Sequence, residues 1–473
     1  MNLDGKSLKS SFIRYIIPSI LAQWVYSLYS MVDGMFVAKG VNEIALTAVN
    51  LSYPFVAFLF AISLLFAVGA STIVSILLGE NHHQRACEVF TQNIVLQVIF
   101  SLVIALLVML NRESFARFLG APNQQTADYV IQYITWIAPF SCVYLLSYSF
   151  EILLKTDGYP KKATLIVILG AVENCILDWF FVMVLHKGIQ GAAFATSLSQ
   201  ATVIILYLHH FLSGKGVLSF KRFKPDFGIL VRQVRNGFSS GVTEMSSGMV
   251  TFLFNQVILM YLTQDDLVSY TIISYVNNIV VLSATGIAQG AQPLISYYYG
   301  QKSLDKCKSL FRYSLVAAGV VCTVSFAVCF ILARGIVDIF IGPELQALRD
   351  SSVTAFRIFA ASFLLVGFNI AVSGYFTSVE RAAEALVISA GRGLVLMAGC
   401  LIVMTGIFGG AGIWWSPLVS ETACLAVTGL LLLIYCRKDA FWNQKNGSKC
   451  SERQKVLSDK GQHFLLSQTE FHA

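Results

Sequence analysis

Residues 166–184 read Ile-Val-Ile-Leu-Gly-Ala-Val-Glu-Asn-Cys-Ile-Leu-Asp-Trp-Phe-Phe-Val-Met-Val. As a helix rising 1.5 Å per residue, this run spans about 28 Å, close to the thickness of a bilayer's hydrocarbon layer. Its only strongly polar side chains are Glu173, Asn174 and Asp178. The rest of the chain decides whether the run is a buried core helix or a membrane span. Of the 473 residues, 56% are hydrophobic and 12% charged, where a soluble domain carries about 25% charge. Comparable runs fall near 13–39, 44–78, 88–111, 128–154, 163–185, 190–212, 233–262, 267–299, 311–333, 351–379, 385–407 and 411–436. The sequence therefore predicts an all-α membrane protein with twelve transmembrane helices. The runs lack the alternation of a β-barrel, and no small-residue cleavage site follows a short apolar core at the N-terminus. Pro18, Pro54, Pro139 and Pro293 lie inside predicted helices and mark candidate kinks.

Orientation follows from the basic residues. With the N-terminus placed in the cytoplasm, 26 of the 33 Lys and Arg residues fall on the cytoplasmic side, six fall opposite, and Arg357 lies within a helix. That bias puts both termini inside a cell (cytoplasmic) membrane. The net charge of +7 then reports topology and calls for no nucleic-acid partner. The ten cysteines show no CxxC or other metal-ligand spacing and read as small hydrophobes. The histidines are scattered, with His82-His83 and His209-His210 at helix ends. No Walker A, dinucleotide-binding or GxSxG motif occurs. The chain is expected to be no enzyme, to need no cofactor, and to act as a monomer.

The sequence repeats itself at an offset of 221. Val68-Gly69-Ala70-Ser71 returns as Gln289-Gly290-Ala291-Gln292, and Gly191–Gln200 lands on Gly412–Glu421. Two six-helix lobes are implied: residues 1–212 and 233–436, joined by a basic linker over 213–232 and followed by a polar cytoplasmic tail over 437–473. Because six is even, both lobes enter the membrane from the same side. They are then parallel repeats related by a pseudo-two-fold along the membrane normal, with a cleft between them.

The polar residues of the opening run now gain a depth. Asn174 and Asp178, four residues apart, share one helix face, and Asp178 lies about 12 Å from the outer end of its helix. Asp33 lies about 9 Å from the outer end of the first helix, with Tyr29 one turn below it, and Thr196 about 12 Å into the sixth. An intramembrane charge costs at least about 2.5 kcal/mol and usually marks an ion pathway. Two carboxylates at one level also repel unless a proton or cation sits between them; the blander reading is interhelical glue. The repeat offset puts Phe254, Val395, Gly399 and Pro417 opposite Asp33, Asn174, Asp178 and Thr196, so the cluster belongs to the N-terminal lobe alone.

At these residues the chain resembles the multidrug and toxic compound extrusion (MATE) family. The resemblance covers nearly all of residues 10–436. It rests on Met31-Val-Asp-Gly-Met-Phe-Val-Ala, Asn174-Cys-Ile-Leu-Asp178-Trp-Phe-Phe, Gly191-Ala-Ala-Phe-Ala-Thr196 and Gly290-Ala-Gln-Pro-Leu-Ile-Ser-Tyr-Tyr-Tyr-Gly300. It is most similar to the bacterial branch with an N-lobe Asp/Asn/Asp/Thr cation site. The resemblance implies cation binding at Asp33, Asn174, Asp178 and Thr196, with Tyr29 adjoining, and export of organic, often cationic and aromatic, compounds by antiport against protons or sodium. The other bacterial branch uses acids in its seventh and tenth helices. Here Glu244 stands in the seventh, but the tenth holds only Arg357.

Glu244, Asn255, Gln256, Gln289 and Gln292 are candidate lining residues for a substrate cleft, as are Asn277 and Asn278, with interhelical hydrogen bonding as the alternative for each. Glu151, one turn before Lys155, reads as a local ion pair. Glu173 points about 100° away from Asn174 and has no assigned partner. Two rival functions remain: a flippase of lipid-linked saccharides (or exporter of one dedicated metabolite), which would want a cationic cleft, and a membrane-embedded enzyme, for which no His/Asp or Cys/His constellation emerges.

Overall fold

The computed structural model describes residues 7–41, 43–119 and 123–437, and in that portion each predicted run is helical. The first half comprises α1 (Leu8–Gly40), α2 (Glu43–Gly79), α3 (His83–Leu110), α4 (Arg112–Phe118), α5 (Gln124–Ile137), α6 (Ser141–Thr156), α7 (Pro160–Asp178) and α8 (Gly188–Leu212). The second comprises α9 (Phe227–Tyr261), α10 (Gln264–Gly300), α11 (Leu304–Ile331), α12 (Ala333–Phe340), α13 (Gln346–Ala360), α14 (Phe363–Ser378), α15 (Ala382–Ala390), α16 (Leu396–Phe408) and α17 (Gly410–Arg437). No strand occurs among the described residues.

Among the described residues, nine passages are long and apolar enough to cross a membrane, and α5 with α6 forms a tenth, bent by 56° at its break. α1 and α9, of 33 and 35 residues, complete the twelve. The break between α5 and α6 contains Pro139, whose missing N–H and ring clash interrupt the helical ladder. Helices α1, α2 and α10 instead run unbroken through Pro18, Pro54 and Pro293. Two π-helical turns interrupt the α-helical register, Trp179–Val184 after α7 and Gly391–Val395 between α15 and α16. A tight turn at Gly409, whose φ of +60° suits glycine, starts α17.

The short helices α4 and α12 have no counterpart in the sequence-based expectation, being too short and too charged to stand out as apolar runs. Their starts, Arg112 and Ala333, are separated by the repeat offset of 221, so they belong to the duplicated plan. The exposed face of α3 carries Leu102, Leu106 and Leu110 at 60%, 60% and 72% exposure. An apolar surface of that kind requires lipid as its solvent. Inside the first lobe, Phe90, Phe150, Tyr207 and Phe211 pack against Ile73 and Val74; inside the second, Phe254, Tyr270, Phe356, Phe359 and Phe363 form a comparable aromatic core.

The two lobes meet mainly through α2 on α9, α1 on α10 and α2 on α10. Glycines permit backbone-to-backbone approach there. A Cβ on Gly79 would lie 2.1 Å from the Tyr297 carbonyl oxygen, and one on Gly300 would lie 2.2 Å from that of Ile76. Residues 79 and 300, like 76 and 297, are 221 apart, so this contact is reciprocal, as a two-fold axis between the lobes demands. Glycines at 69, 237, 286 and 290 touch backbone atoms of Gln233, Leu65, Ile20 and Tyr15. Side chains reinforce the junction: Gln233 Nε2 donates to Phe66 O and to Asn93 Oδ1, and Gln292 Nε2 to Val68 O and to Thr72 Oγ1. All of these contacts use the halves of α1, α2, α9 and α10 nearest the basic end, which carries Arg14, Lys161, Arg232 and Lys302. The lobes are therefore closed together at the basic end.

An oxygen cluster and an interlobe cleft as candidate functional site

Helices α1, α7 and α8 converge where the sequence placed its polar groups. Asn174 and Asp178, on the last turns of α7, are 1% and 0% exposed, and Thr196 on α8 is 8% exposed. Asn174 Nδ2 donates to Thr196 Oγ1 at 3.4 Å, while that hydroxyl donates to Ala192 O at 3.1 Å. The Asp33 and Asp178 carboxyls lie close enough to act on one another, with Tyr29, Tyr133 and Tyr144 within electrostatic range. Asp33 Oδ1, both carboxyl oxygens of Asp178 and Asn174 Oδ1 are buried and accept no hydrogen bond from a neighbouring donor. Buried polar atoms are almost always paired, so this many unpaired oxygens in one place point to a positive occupant. Beside them a chamber of about 10 Å³ is bounded by Tyr26, Tyr29, Asn174, Ser199 and Gln200. Among the described residues no group of three His, Cys, Asp or Glu side chains forms a metal-binding set.

The second polar region lies between the lobes. One cavity of about 200 Å³ is walled by Gln23, Tyr53 and Tyr148 of the first lobe and by Glu244, Gln289, Gln292 and Arg392 of the second. An adjoining cavity of about 400 Å³ shares Tyr53, Ser247, Asn278 and Arg392 and extends to Asn277, Tyr270 and Glu421. Gln289 of the second lobe is held by two residues of the first, accepting from Gln23 Nε2 at 2.8 Å and donating to Tyr148 Oη at 3.3 Å. Glu244, Gln289, Gln292, Asn277 and Asn278 thus line the cleft, whereas Asn255 and Gln256 are absent from these walls.

The same family profile, described as MatE, matches residues 18–180 and again 241–402, well over half of the chain. The chain belongs to the MatE family. It is accordingly a multi-pass membrane transporter and not an enzyme. Two matches to one profile, spaced like the internal repeat, also reflect the duplication. The chain is 22% identical over 441 residues to the multidrug export protein MepA of Staphylococcus saprophyticus, covering 92% of this chain and 95% of that one. To MepA of Staphylococcus haemolyticus it is 24% identical over 431 residues, covering 89% and 92%. Among solved structures, one titled as the outward-facing conformation of a multidrug resistance MATE family transporter of the MOP superfamily superposes with a TM-score of 0.86 at 21% identity, covering 92% and 97%. A MOP superfamily transporter from Pyrococcus furiosus, whose title notes a reversed polarity of its binding pocket, gives 0.83 at 21% identity, covering 90% and 95%.

Several polar residues of this MatE protein were hidden from the sequence. Arg392, assigned to the cytoplasmic count, instead sits about 15 Å into its passage, in the π-helical turn, and pairs with Glu421 (Nε to Oε1, 2.8 Å). Glu421 is 3% exposed, and its other oxygen accepts from Asn369 Nδ2 at 2.8 Å. Arg357, taken as a mid-helix residue, lies in the last turn of α13 over the Phe330 ring. Glu173 finds its partner on α8, accepting from Thr202 Oγ1 at 2.9 Å. Glu151 and Lys155 form the expected i,i+4 pair (2.5 Å), 0% and 1% exposed, with Tyr26 Oη also donating to Glu151. His210 pairs with Asp157 at 2.9 Å, and Asp157 also accepts the Val217 and Leu218 amides, which pins the linker to the lobe. The helix-forming part of that linker is capped by Asp226, whose carboxyl is held below the usual range by the Ile229 amide and then by Arg85. The tail beyond 437 lies outside the described residues.

Proposed function

We propose that this protein exports organic compounds, cationic or aromatic in character, from the cytoplasm by cation-coupled antiport, with both termini cytoplasmic in the cell membrane. The observation that carries the reading is the set of unpartnered oxygens of Asp33, Asn174 and Asp178 in the first lobe. Neutralising that set removes the repulsion between two carboxylates. Occupancy of the cluster would thereby alter the packing of α1 against α7 and α8, and through α1 the junction with α10. Naming of the relatives as multidrug export proteins supports the cargo class.

The basic end faces the cytoplasm on the positive-inside rule. Closure of the lobes at that end then corresponds to a state open to the exterior, in which a cation arriving from outside displaces cargo. We assign the proton as coupling ion over sodium. The Asp33 and Asp178 carboxyls lie close enough to act on one another, so a single proton held by one of them relieves the repulsion. The flippase alternative would want a cationic cleft. Here the one arginine is matched by Glu421, and Glu244 leaves the cleft with a net negative charge.

The test uses inside-out vesicles and a fluorescent organic cation. A proton gradient imposed without sodium should drive accumulation, and Asp178→Asn should abolish it. Accumulation that requires a sodium gradient and ignores a protonophore would reverse the choice of ion. Accumulation in neither gradient would sink the antiport reading.

A further inference from the structure

The C-terminal lobe contains a second charged constellation that the coupling reaction does not use. Arg392 lies in the π-helical turn Gly391–Val395 and forms part of the wall of both interlobe cavities. π-Turns inside α-helices occur frequently at functional sites, because the extra residue redirects side chains. This turn packs tightly on α9: a Cβ on Gly393 would come within 2.9 Å of Ser246 Cβ. Arg392 and Glu244 therefore flank a single helix-to-helix contact, and both project into the smaller cavity.

Their pairing states differ. Arg392 and Glu421 form an ion pair whose shortest contact is Nε to Oε1 at 2.8 Å, and Glu421 also accepts from the Asn369 amide. Among the described residues the guanidinium has no second ion-pair or hydrogen-bond partner, so one carboxylate leaves several of its five donors unused at the cavity wall, where the side chain keeps 14% of its surface exposed. Glu244 has no hydrogen bond or ion pair to its carboxylate among the described residues. A guanidinium carries five donors in a planar fork suited to carboxylates and phosphates. One wall of the cleft thus offers a free carboxylate and, across the α9 contact, a guanidinium with spare donors.

We infer that Arg392 determines specificity, selecting among organic cations those that also carry a carboxylate or a comparable anionic acceptor: zwitterionic amphiphiles whose amine faces Glu244 and whose acid faces Arg392. This rests on the export reading above and names the cargo class for the cleft. Glu421 and Asn369 hold the guanidinium in place. They also keep the cleft from becoming cationic when no cargo is bound.

The experiment measures binding of a rhodamine with a free benzoate, and of its methyl ester, to the purified full-length chain in lipid nanodiscs by fluorescence anisotropy. Wild type should bind both. Arg392→Gln should weaken the free acid about tenfold or more, as expected for loss of a charge-assisted hydrogen bond, and leave the ester unchanged. Because removing the arginine leaves Glu421 buried without its ion-pair partner, Arg392→Gln/Glu421→Gln, with both charges removed, separates folding from recognition and should show the same selective loss. Glu244→Gln should weaken both probes. Equal weakening of both probes by the two Arg392 variants, or an unaltered free acid, overturns the proposal. So does a wild type that binds the ester alone, which leaves the export reading standing. A wild type that binds neither probe overturns both.

Discussion

The two lobes share a helix plan and differ in what they bury. At residue 200 the first lobe has glutamine beside Tyr29 and Asn174; at the corresponding residue 421 the second has a glutamate paired with arginine. The first lobe buries the oxygens of Asp33, Asn174 and Asp178 among packed helices, while the second fronts cavities of about 200 and 400 Å³. On the function proposed above, the duplicated scaffold divides the work: buried carboxyls for the coupling ion in one lobe, room for an organic molecule against the other. Fold symmetry is kept where backbones touch and abandoned where chemistry occurs.

The largest expected effect tests that division directly. Asp33→Asn and Asp178→Asn should each abolish vesicle transport with expression intact, and the double variant should be no worse than either, since residues acting as one unit are not additive. Wild-type export by either single variant would break the comparison. Next come the buried ion pairs. Lys155→Met leaves Glu151 uncompensated in a site with 0–1% exposure and should cost about 3–5 kcal/mol of stability. Arg392→Gln should cost less, because that pair borders the cleft; thermal denaturation in lipid would rank the two.

A smaller effect is expected from Gly79→Ala and Gly300→Ala. Each places a methyl group against a carbonyl of the opposite lobe, and overpacking of this kind costs about 1–3 kcal/mol. Both should shift the population away from closure at the basic end to a similar degree, read as a longer distance between spin labels on α2 and α10. Unequal shifts would mean that the junction is not symmetric. The smallest concerns Asp226→Ala, which removes a helix cap and should lower the thermal midpoint slightly with transport retained. Since its folded carboxyl is held below the unfolded value, its contribution is present above the ordinary carboxylate range and is lost as pH falls through the folded value. The difference from wild type should therefore vanish in acid.

Much of this was legible in the sequence for physical reasons. Twelve passages follow from runs that only lipid can solvate, and Asp33, Asn174, Asp178 and Thr196 were found because charge at depth is expensive enough to need a reason. The i,i+4 pairing of Glu151 with Lys155 was likewise local. Arg392 escaped because it stands ten residues into a passage that begins with charged residues, where counting assigns it to the loop. Only a π-turn and the distant Glu421 explain its depth. The partner of Glu173, Thr202, lies on another helix and leaves no periodic trace. Helices α4 and α12 escaped because helices of about two turns and mixed polarity look like loops.

The reciprocal contact of Gly79 with Tyr297 and Gly300 with Ile76 has a mechanical consequence. Both points lie at the same end and are related by the axis between the lobes. A rotation that preserves the axis parts both backbone pairs together, so in such a motion neither contact survives to stabilise the other. Separation at that end then behaves as a single event with one barrier. Access at the basic end would switch between two levels, without a graded leak in between.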